Sequence, residues 1–237
     1  MPVSFGYDGS YQAETSGLYL PCVLPDNNLT DSICTNTSAS SVVNAAQQSY
    51  GYTVPASEWK PAGSVQRFTI SVPAEDNLYL RVALYDELTD GDDDLDIVLW
   101  YCAPEGQACD QTEVELVGFS QNENTSDEQI NVDAFDLRAG TYIIDVHGYE
   151  TDEVTGGPGA LFRLYVWSFG TDNDAGNLSI SDIPAGATQN TTVNMNANWL
   201  NLPDGLWLGG ITHSTDGDST LGVTIVEVDS NHTFPTP

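Results

Sequence analysis

The chain has 237 residues, and its 35 acidic and 5 basic side chains give a formal net charge of −30 at pH 7. Apolar residues make up 40% of the chain, so it can bury a core and is not a disordered acidic tail. Such a charge repels nucleic acid and anionic membranes, and we expect neither as a partner. It suits surroundings in which salt or divalent cations screen the acids, although simple solubility of an exported protein explains it equally well.

Residues 1–62 are expected to form an N-terminal segment with one or more strands, a disulfide loop and one short helix at most. The run VSFGYDGSYQA, from Val3, is a candidate strand that we expect to join strands near the C-terminus. Residues 38–48 are the only helix candidate, because a capping serine precedes an apolar stripe that includes Val42 and Val43.

Alternation of apolar and polar residues dominates residues 63–170. Phe68, Ile70 and Val72 share one face of a run, and residues 142–146 repeat the pattern. This alternation is typical of strands with one buried face. Turn sequences such as TDGDDD and GGPG separate the runs. The pattern predicts an all-β fold, with a jelly-roll-like β-sandwich over these residues.

A second group of short alternating runs occupies residues 171–229. Within it Thr191, Val193 and Met195 fall on one face of a run. We expect these strands to form a smaller, immunoglobulin-like β-sandwich. Residues 230–237 show no periodicity and form a tail.

The four cysteines fall into two short-range pairs. Cys22 and Cys34 bracket one loop, and Cys102 and Cys109 bracket another. Three connectivities are possible, but local pairing predicts the disulfides Cys22–Cys34 and Cys102–Cys109. Neither pair has the spacing or the histidines of a zinc site. Two disulfides indicate an oxidising compartment.

The strongest site candidate is the acidic run DGDDDLDIVLWY, which begins at Asp90. Its alternating carboxylates Asp90, Asp92, Asp94 and Asp96 are candidate calcium ligands, since calcium takes six to eight oxygen ligands. The glycine and glutamate of an EF-hand loop are absent from the corresponding positions. The alternative is a solvated acidic loop in which Asp96 orders a turn through backbone hydrogen bonds.

No enzyme signature is present in the sequence. His147 and His213 each end a predicted strand, where a histidine more often makes an ordinary hydrogen bond than acts as a base. The nucleophile phrases of serine hydrolases are missing around every serine. The sequence therefore predicts a non-catalytic chain.

Aromatic residues offer a second binding resource. Tyr165 and Trp167 alternate with the apolar Leu164 and Val166, so we expect them to face outward as a strip that binds an extended protein chain or a sugar ring. The alternative, which we favour, is that most of the aromatic residues close the core or cover an edge.

Two phrases together resemble the signature of the bacterial pre-peptidase C-terminal domain, a β-sandwich appended to secreted subtilisin-like serine proteases. They are DGDDDLDIVLWY and RAGTYIIDVHGYETD, which begins at Arg138. NWLNLPDGLWLGGITH and STLGVTIVEVD resemble the final β-rich segment of the same proteases. The resemblance covers residues 2–19 and 65–229, whereas residues 20–62 and the insertion between Cys102 and Cys109 depart from it.

The resemblance implies a non-catalytic C-terminal region of a secreted subtilisin-like serine endopeptidase, one that assists substrate binding, secretion or maturation. Its implied partners are the catalytic domain of the parent protease and a protein substrate, and its location is extracellular. Calcium is the only cofactor we expect. Two other functions fit the same features: a calcium-dependent carbohydrate- or glycoprotein-binding module, and a structural spacer or adhesin domain.

Overall fold

The computed structural model describes residues 1–24, 42–43, 65–73, 77–89, 93–110, 113–150, 153–154, 157–158, 160–170, 175–216 and 220–230. These residues form nineteen strands and a 3-10 turn at Asp86–Leu88, with no α-helix among them. None of them forms a helix long and apolar enough to cross a membrane. The strands are β1 (Pro2–Ser4), β2 (Gln12–Tyr19), β3 (Cys22–Leu24), β4 (Val42–Val43), β5 (Val65–Val72), β6 (Asn77–Leu84), β7 (Asp94–Ala103), β8 (Glu115–Ser120), β9 (Glu128–Asp133), β10 (Gly140–Glu150), β11 (Glu153–Val154), β12 (Gly157–Pro158), β13 (Ala160–Leu161), β14 (Leu164–Gly170), β15 (Leu178–Ser181), β16 (Thr192–Asn194), β17 (Asn196–Trp199), β18 (Gly205–Ser214) and β19 (Thr220–Ser230).

The predicted all-β class is confirmed, but the predicted helix over residues 38–48 is wrong at Val42 and Val43. These two valines form β4, which pairs with β13 in an antiparallel arrangement. Their β-branched side chains restrict the backbone in a helix and suit an extended strand. The other residues of the predicted helix lie outside the described residues.

The chain divides into two compact units. The larger comprises residues 22–132, 136–168 and 234–237. The smaller comprises residues 1–21, 133–135 and 169–233.

The larger unit contains two four-stranded sheets, with strand orders β5-β10-β7-β8 and β3-β14-β6-β9. Both sheets contribute to one apolar core, in which alternate residues of each strand are buried. In the first sheet β10 contributes Tyr142, Ile144 and Val146 to this core, and β7 contributes Ile97 and Leu99. Apolar side chains at alternate positions of these strands therefore form one core that the two sheets share.

The smaller unit contains the three-stranded sheet β19-β18-β2 and the two-stranded sheets β1-β16 and β15-β17. Its strands β1 and β2 come from the N-terminus and pair with β16 and β18, so the predicted joining of the N-terminal run to C-terminal strands is confirmed. The β2–β18 register shifts between Gly209 and Ile211. Here a side chain at Gly209 would collide with the carbonyl oxygen of Gly17, which itself has a φ of 77°.

Candidate functional site

The face of sheet β5-β10-β7-β8 that points away from the sandwich core carries a group of buried polar side chains, Asp94, Asp96, Asp145 and His147. Because side chains alternate along a strand, Asp145 and His147 lie on the face opposite to that of Ile144 and Val146. The antiparallel register places Asp145 opposite Arg67 and His147 opposite Asp96. The register of β5, β10 and β7 thus brings an Arg–Asp pair and a His–Asp pair into direct cross-strand contact.

Asp145 is fully buried and holds two strands together. Its carboxylate accepts two hydrogen bonds from the Arg67 guanidinium, at 2.7 and 3.0 Å, and a third from Trp100 Nε1 at 3.1 Å. Burial raises the pKa of the Asp145 carboxyl well above its usual value. The guanidinium and the indole N–H are therefore the groups that compensate the charge of this buried side chain. The indole ring packs with Val98 and Ile143.

His147 and Asp96 form a second buried polar pair. The ring Nδ1 lies 3.1 Å from Asp96 Oδ2, and both side chains are almost completely buried. Burial keeps this histidine out of reach of a bulky substrate, which fits a structural hydrogen bond between β7 and β10.

The four carboxylates predicted to bind calcium are only partly described. Asp94 and Asp96 are buried on β7, two residues apart and on the same face of the strand. Asp90 and Asp92 lie outside the described residues. Among the described residues no group of three or more His, Cys, Asp or Glu side chains is arranged to hold a metal ion. The calcium site stays a prediction.

Backbone donors from residues 124–126 satisfy carboxylates near this strand. Asp94 Oδ2 accepts the backbone N–H of Asn124 at 3.0 Å, and Asp86 Oδ1 accepts that of Ser126 at 2.9 Å. The Ser126 hydroxyl donates to the carbonyl oxygen of Asp93 at 2.9 Å. Aspartates therefore order this turn through backbone hydrogen bonds, but they are Asp94 and Asp86; Asp96, which the sequence offered for that role, is buried against His147 instead.

Glu128 is a buried carboxylate that the sequence analysis did not identify. Its Oε1 accepts the backbone N–H of Asn122 at 2.6 Å, while its Oε2 is buried with no hydrogen-bond partner among the described residues. Burial is the main cause that raises its pKa to about 7, and nearby Asp96 and Asp94 add to the rise. Glu128 shares the alternation of Ile130 along β9, so its inward orientation was readable from the sequence.

The predicted outward strip of Tyr165 and Trp167 is wrong, because both side chains are buried. The two rings stack with their centroids 6.2 Å apart, and Tyr85 meets Tyr165 edge to face at 5.3 Å. β14 is an interior strand of its sheet and buries side chains on both faces. Alternation identifies the two faces of such a strand but does not reveal that both are covered.

The predicted disulfide Cys102–Cys109 is confirmed, and it closes a loop of sequence separation 7. Both cysteines pack against the cluster that Val98, Trp100 and Ile143 form. Cys22 is also disulfide-bonded. Its predicted partner, Cys34, lies outside the described residues.

A chain of hydrogen bonds in the smaller unit joins residues that are distant in sequence. Tyr11 OH lies 3.6 Å from Met195 Sδ and 2.6 Å from His213 Nδ1, and His213 Nε2 lies 2.7 Å from Thr224 Oγ1. The thioether only accepts, so Tyr11 donates to it, and the direction of the two bonds to the His213 ring depends on its tautomer. Burial lowers the pKa of His213 and raises that of Tyr11, which favours the neutral forms of both groups.

No protein-family model matches the chain, and no curated protein is significantly similar to it. The inferences about function therefore depend on the contacts described above and on the resemblance of the two signature phrases.

Proposed function

We propose that this chain is a non-catalytic accessory region of an exported subtilisin-like serine endopeptidase and that it assists the enzyme by binding protein substrate. The observation that carries the proposal is the placement of the two signature phrases. One supplies β7 and the other supplies β10, and these strands pair side by side in the middle of one sheet. Phrases that lie far apart in the sequence thus form one structural unit.

The polar residues of the two phrases support a non-catalytic role. Asp145 and His147 are buried and pair with Arg67 and Asp96 across the sheet. A catalytic acid, base or nucleophile must reach the reacting atoms of a substrate. These side chains instead stabilise the contacts between neighbouring strands.

The finer architecture belongs to the same proposal. The larger unit corresponds to the jelly-roll-like sandwich of a pre-peptidase C-terminal domain, and the smaller unit to an immunoglobulin-like β-sandwich completed by β1 and β2. The catalytic domain of the parent enzyme is the expected covalent neighbour, outside the cell. Assistance in secretion or in maturation is the other role that the resemblance implies.

The test is a binding comparison with the purified chain. Insoluble fibrous proteins and insoluble polysaccharides such as cellulose and chitin are each incubated with the chain and sedimented. We expect depletion of the chain by fibrous protein and not by polysaccharide. Depletion by polysaccharide alone would contradict the proposal and favour a carbohydrate-binding module.

A calcium-dependent binding module is the second candidate. The observation that favours it is the buried Oε2 of Glu128, which has no hydrogen-bond partner among the described residues and lies near Asp94 and Asp96. A bound cation would neutralise this oxygen. The thermal midpoint measured in EDTA and in millimolar calcium, at fixed ionic strength, would then rise with calcium. The variant Glu128→Gln should lose that rise, whereas Asp182→Asn, an exposed control, should keep it. Equal midpoints in EDTA and calcium would exclude this candidate.

A further inference from the structure

The strand β8 (Glu115–Ser120) forms one edge of the sheet β5-β10-β7-β8. In the part of the chain that the structure describes, β8 pairs with β7 alone. Alternate residues of an edge strand direct their N–H and C=O groups away from the sheet. This row of backbone donors and acceptors is a template for one more strand.

Two exposed apolar side chains lie along this edge. Phe119 is 52% exposed and Leu116 is 36% exposed. The register places Phe119 opposite Val98 and Leu116 opposite Trp100, and the pairing with β7 shifts between these two pairs. This bulge brings residues three apart onto one face, the face opposite to the sandwich core. A strand added beside β8 would bring every second side chain onto this apolar strip.

The edge of the partner sheet is protected in the usual way. On β9 the exposed side chains Gln129, Asn131 and Asp133 are all polar or charged. Natural proteins place such residues on edge strands to prevent pairing with another chain. The β8 edge therefore differs from the β9 edge in its exposed apolar side chains, and the bulge in its pairing with β7 is the protecting feature that it carries instead.

The electrostatics of the edge select the kind of strand that it accepts. Glu113 and Glu123 lie just before and after β8 and are exposed, and Glu115 on β8 pairs with Arg138 at 2.9 Å. The whole chain carries a net charge of −30. A second copy of this chain would bring the same acids to the contact, whereas a cationic segment would be attracted.

We infer that β8 binds an extended cationic polypeptide segment by strand addition, with apolar side chains of that segment against Phe119 and Leu116. Backbone hydrogen bonds supply affinity for any extended chain, and the alternate side chains that meet Phe119 and Leu116 supply the preference for one kind of segment. This inference rests on the proposed protein-binding function and names the surface and the chemistry by which that function would work.

The probe is a synthetic eight-residue peptide in which valine and lysine alternate, titrated into the purified chain by calorimetry. In two further versions of the peptide, N-methyl groups are placed on the valines of one and on the lysines of the other. We expect one methylated version to bind at least about tenfold more weakly and the other to bind normally, because only every second N–H faces β8. A shift by one residue would place lysines on Phe119, so the peptide cannot escape the block by sliding. Hydrogen exchange of the β8 amides should slow when the unmethylated peptide is bound.

The matched variants are Phe119→Ser on the edge and Phe135→Ser, which is 71% exposed and lies outside the strands. We expect Phe119→Ser to weaken peptide binding about tenfold or more and Phe135→Ser to leave it unchanged. Equal losses in both variants, or equal binding of both methylated peptides, would overturn the inference. A dimer that protects the β8 amides without peptide would also overturn it. If Phe119→Ser leaves the sedimentation with fibrous protein unchanged, β8 is refuted as the binding surface while the proposed function stands.

Discussion

The buried ion pair between Arg67 and Asp145 makes the sharpest prediction about what stabilises the larger unit. The substitution Arg67→Met keeps most of the length of the side chain and removes its charge. Asp145 then stays fully buried, with Trp100 Nε1, at 3.1 Å, still donating to it. Breaking one partner out of a buried ion pair costs about 3–5 kcal/mol, because an uncompensated charge remains in the interior.

The double variant Arg67→Met/Asp145→Asn separates this charge effect from lost packing. The asparagine amide is neutral, and its oxygen can still accept the hydrogen bond of Trp100. We therefore expect the second substitution to recover at least about 1 kcal/mol of the stability that the first removes. Both variants are measured by urea unfolding, followed by tryptophan fluorescence and far-ultraviolet circular dichroism.

The chain offers a matched control in the exposed pair Arg138–Glu115, at 2.9 Å, whose side chains are 43% and 64% exposed. Water screens that pair, and the Arg138 guanidinium also lies 3.8 Å from the centre of the Tyr101 ring. Arg138→Met should cost about 1 kcal/mol. The reasoning is refuted if Arg67→Met costs no more than this control, or if the double variant is less stable than the single one.

Four further predictions concern other parts of the chain. Burial raises the pKa of Glu128 to about 7, so the folded state holds the proton more tightly than the unfolded state. The free energy of unfolding should therefore fall as pH rises from about 4.5 to about 7. In urea titrations at pH 5 and pH 8, Glu128→Gln should reduce that decline. Burial lowers the pKa of His213, which gives the opposite sign, so the free energy of unfolding should fall as pH drops below about 6.5. His213→Gln should remove that fall in the same titrations. An unchanged pH profile would contradict the assignment of this fall to His213. Thr224→Val removes the hydroxyl bonded to that ring and should cost about 1 kcal/mol in urea unfolding. Replacing Cys102 and Cys109 by alanine should cost about 2 kcal/mol, since the closed loop is short, and chemical reduction of the wild type should reproduce the loss in its thermal midpoint.

The strands were predictable from sequence because alternation is a local property. The runs that contain Ile70 and Ile144 each show one apolar face, and both supply the sandwich core. The Cys102–Cys109 disulfide was predictable for the same reason, since its two cysteines are close in the chain. Local signals predicted the all-β class correctly.

The polar contacts were not predictable, because they depend on which strands become neighbours. Arg67 and Asp145 are 78 residues apart, and Tyr11 and His213 are 202 residues apart. Nothing in either local sequence specifies the partner strand. The buried position of Trp167 was missed for a related reason: alternation separates two faces but does not say whether the second is covered.

Glu128 shows that some of the site could have been found. It occupies the same phase of β9 as Ile130 and Val132, which a strict reading of the alternation places in the interior. A carboxylate in such a phase predicts a raised pKa before any coordinates are known. Glu128 is more deeply buried than Asp94 and Asp96, the described candidates from the acidic run that begins at Asp90.

The most direct test of the central claim measures binding and hydrolysis in the same sample. The purified chain is mixed with an insoluble fibrous protein, and both the chain left in solution and the peptides released are quantified over time. A non-catalytic accessory region should be depleted from solution and release no peptides above a protein-free control. Release of peptides in proportion to the amount of chain, or no depletion at any concentration, would contradict the account.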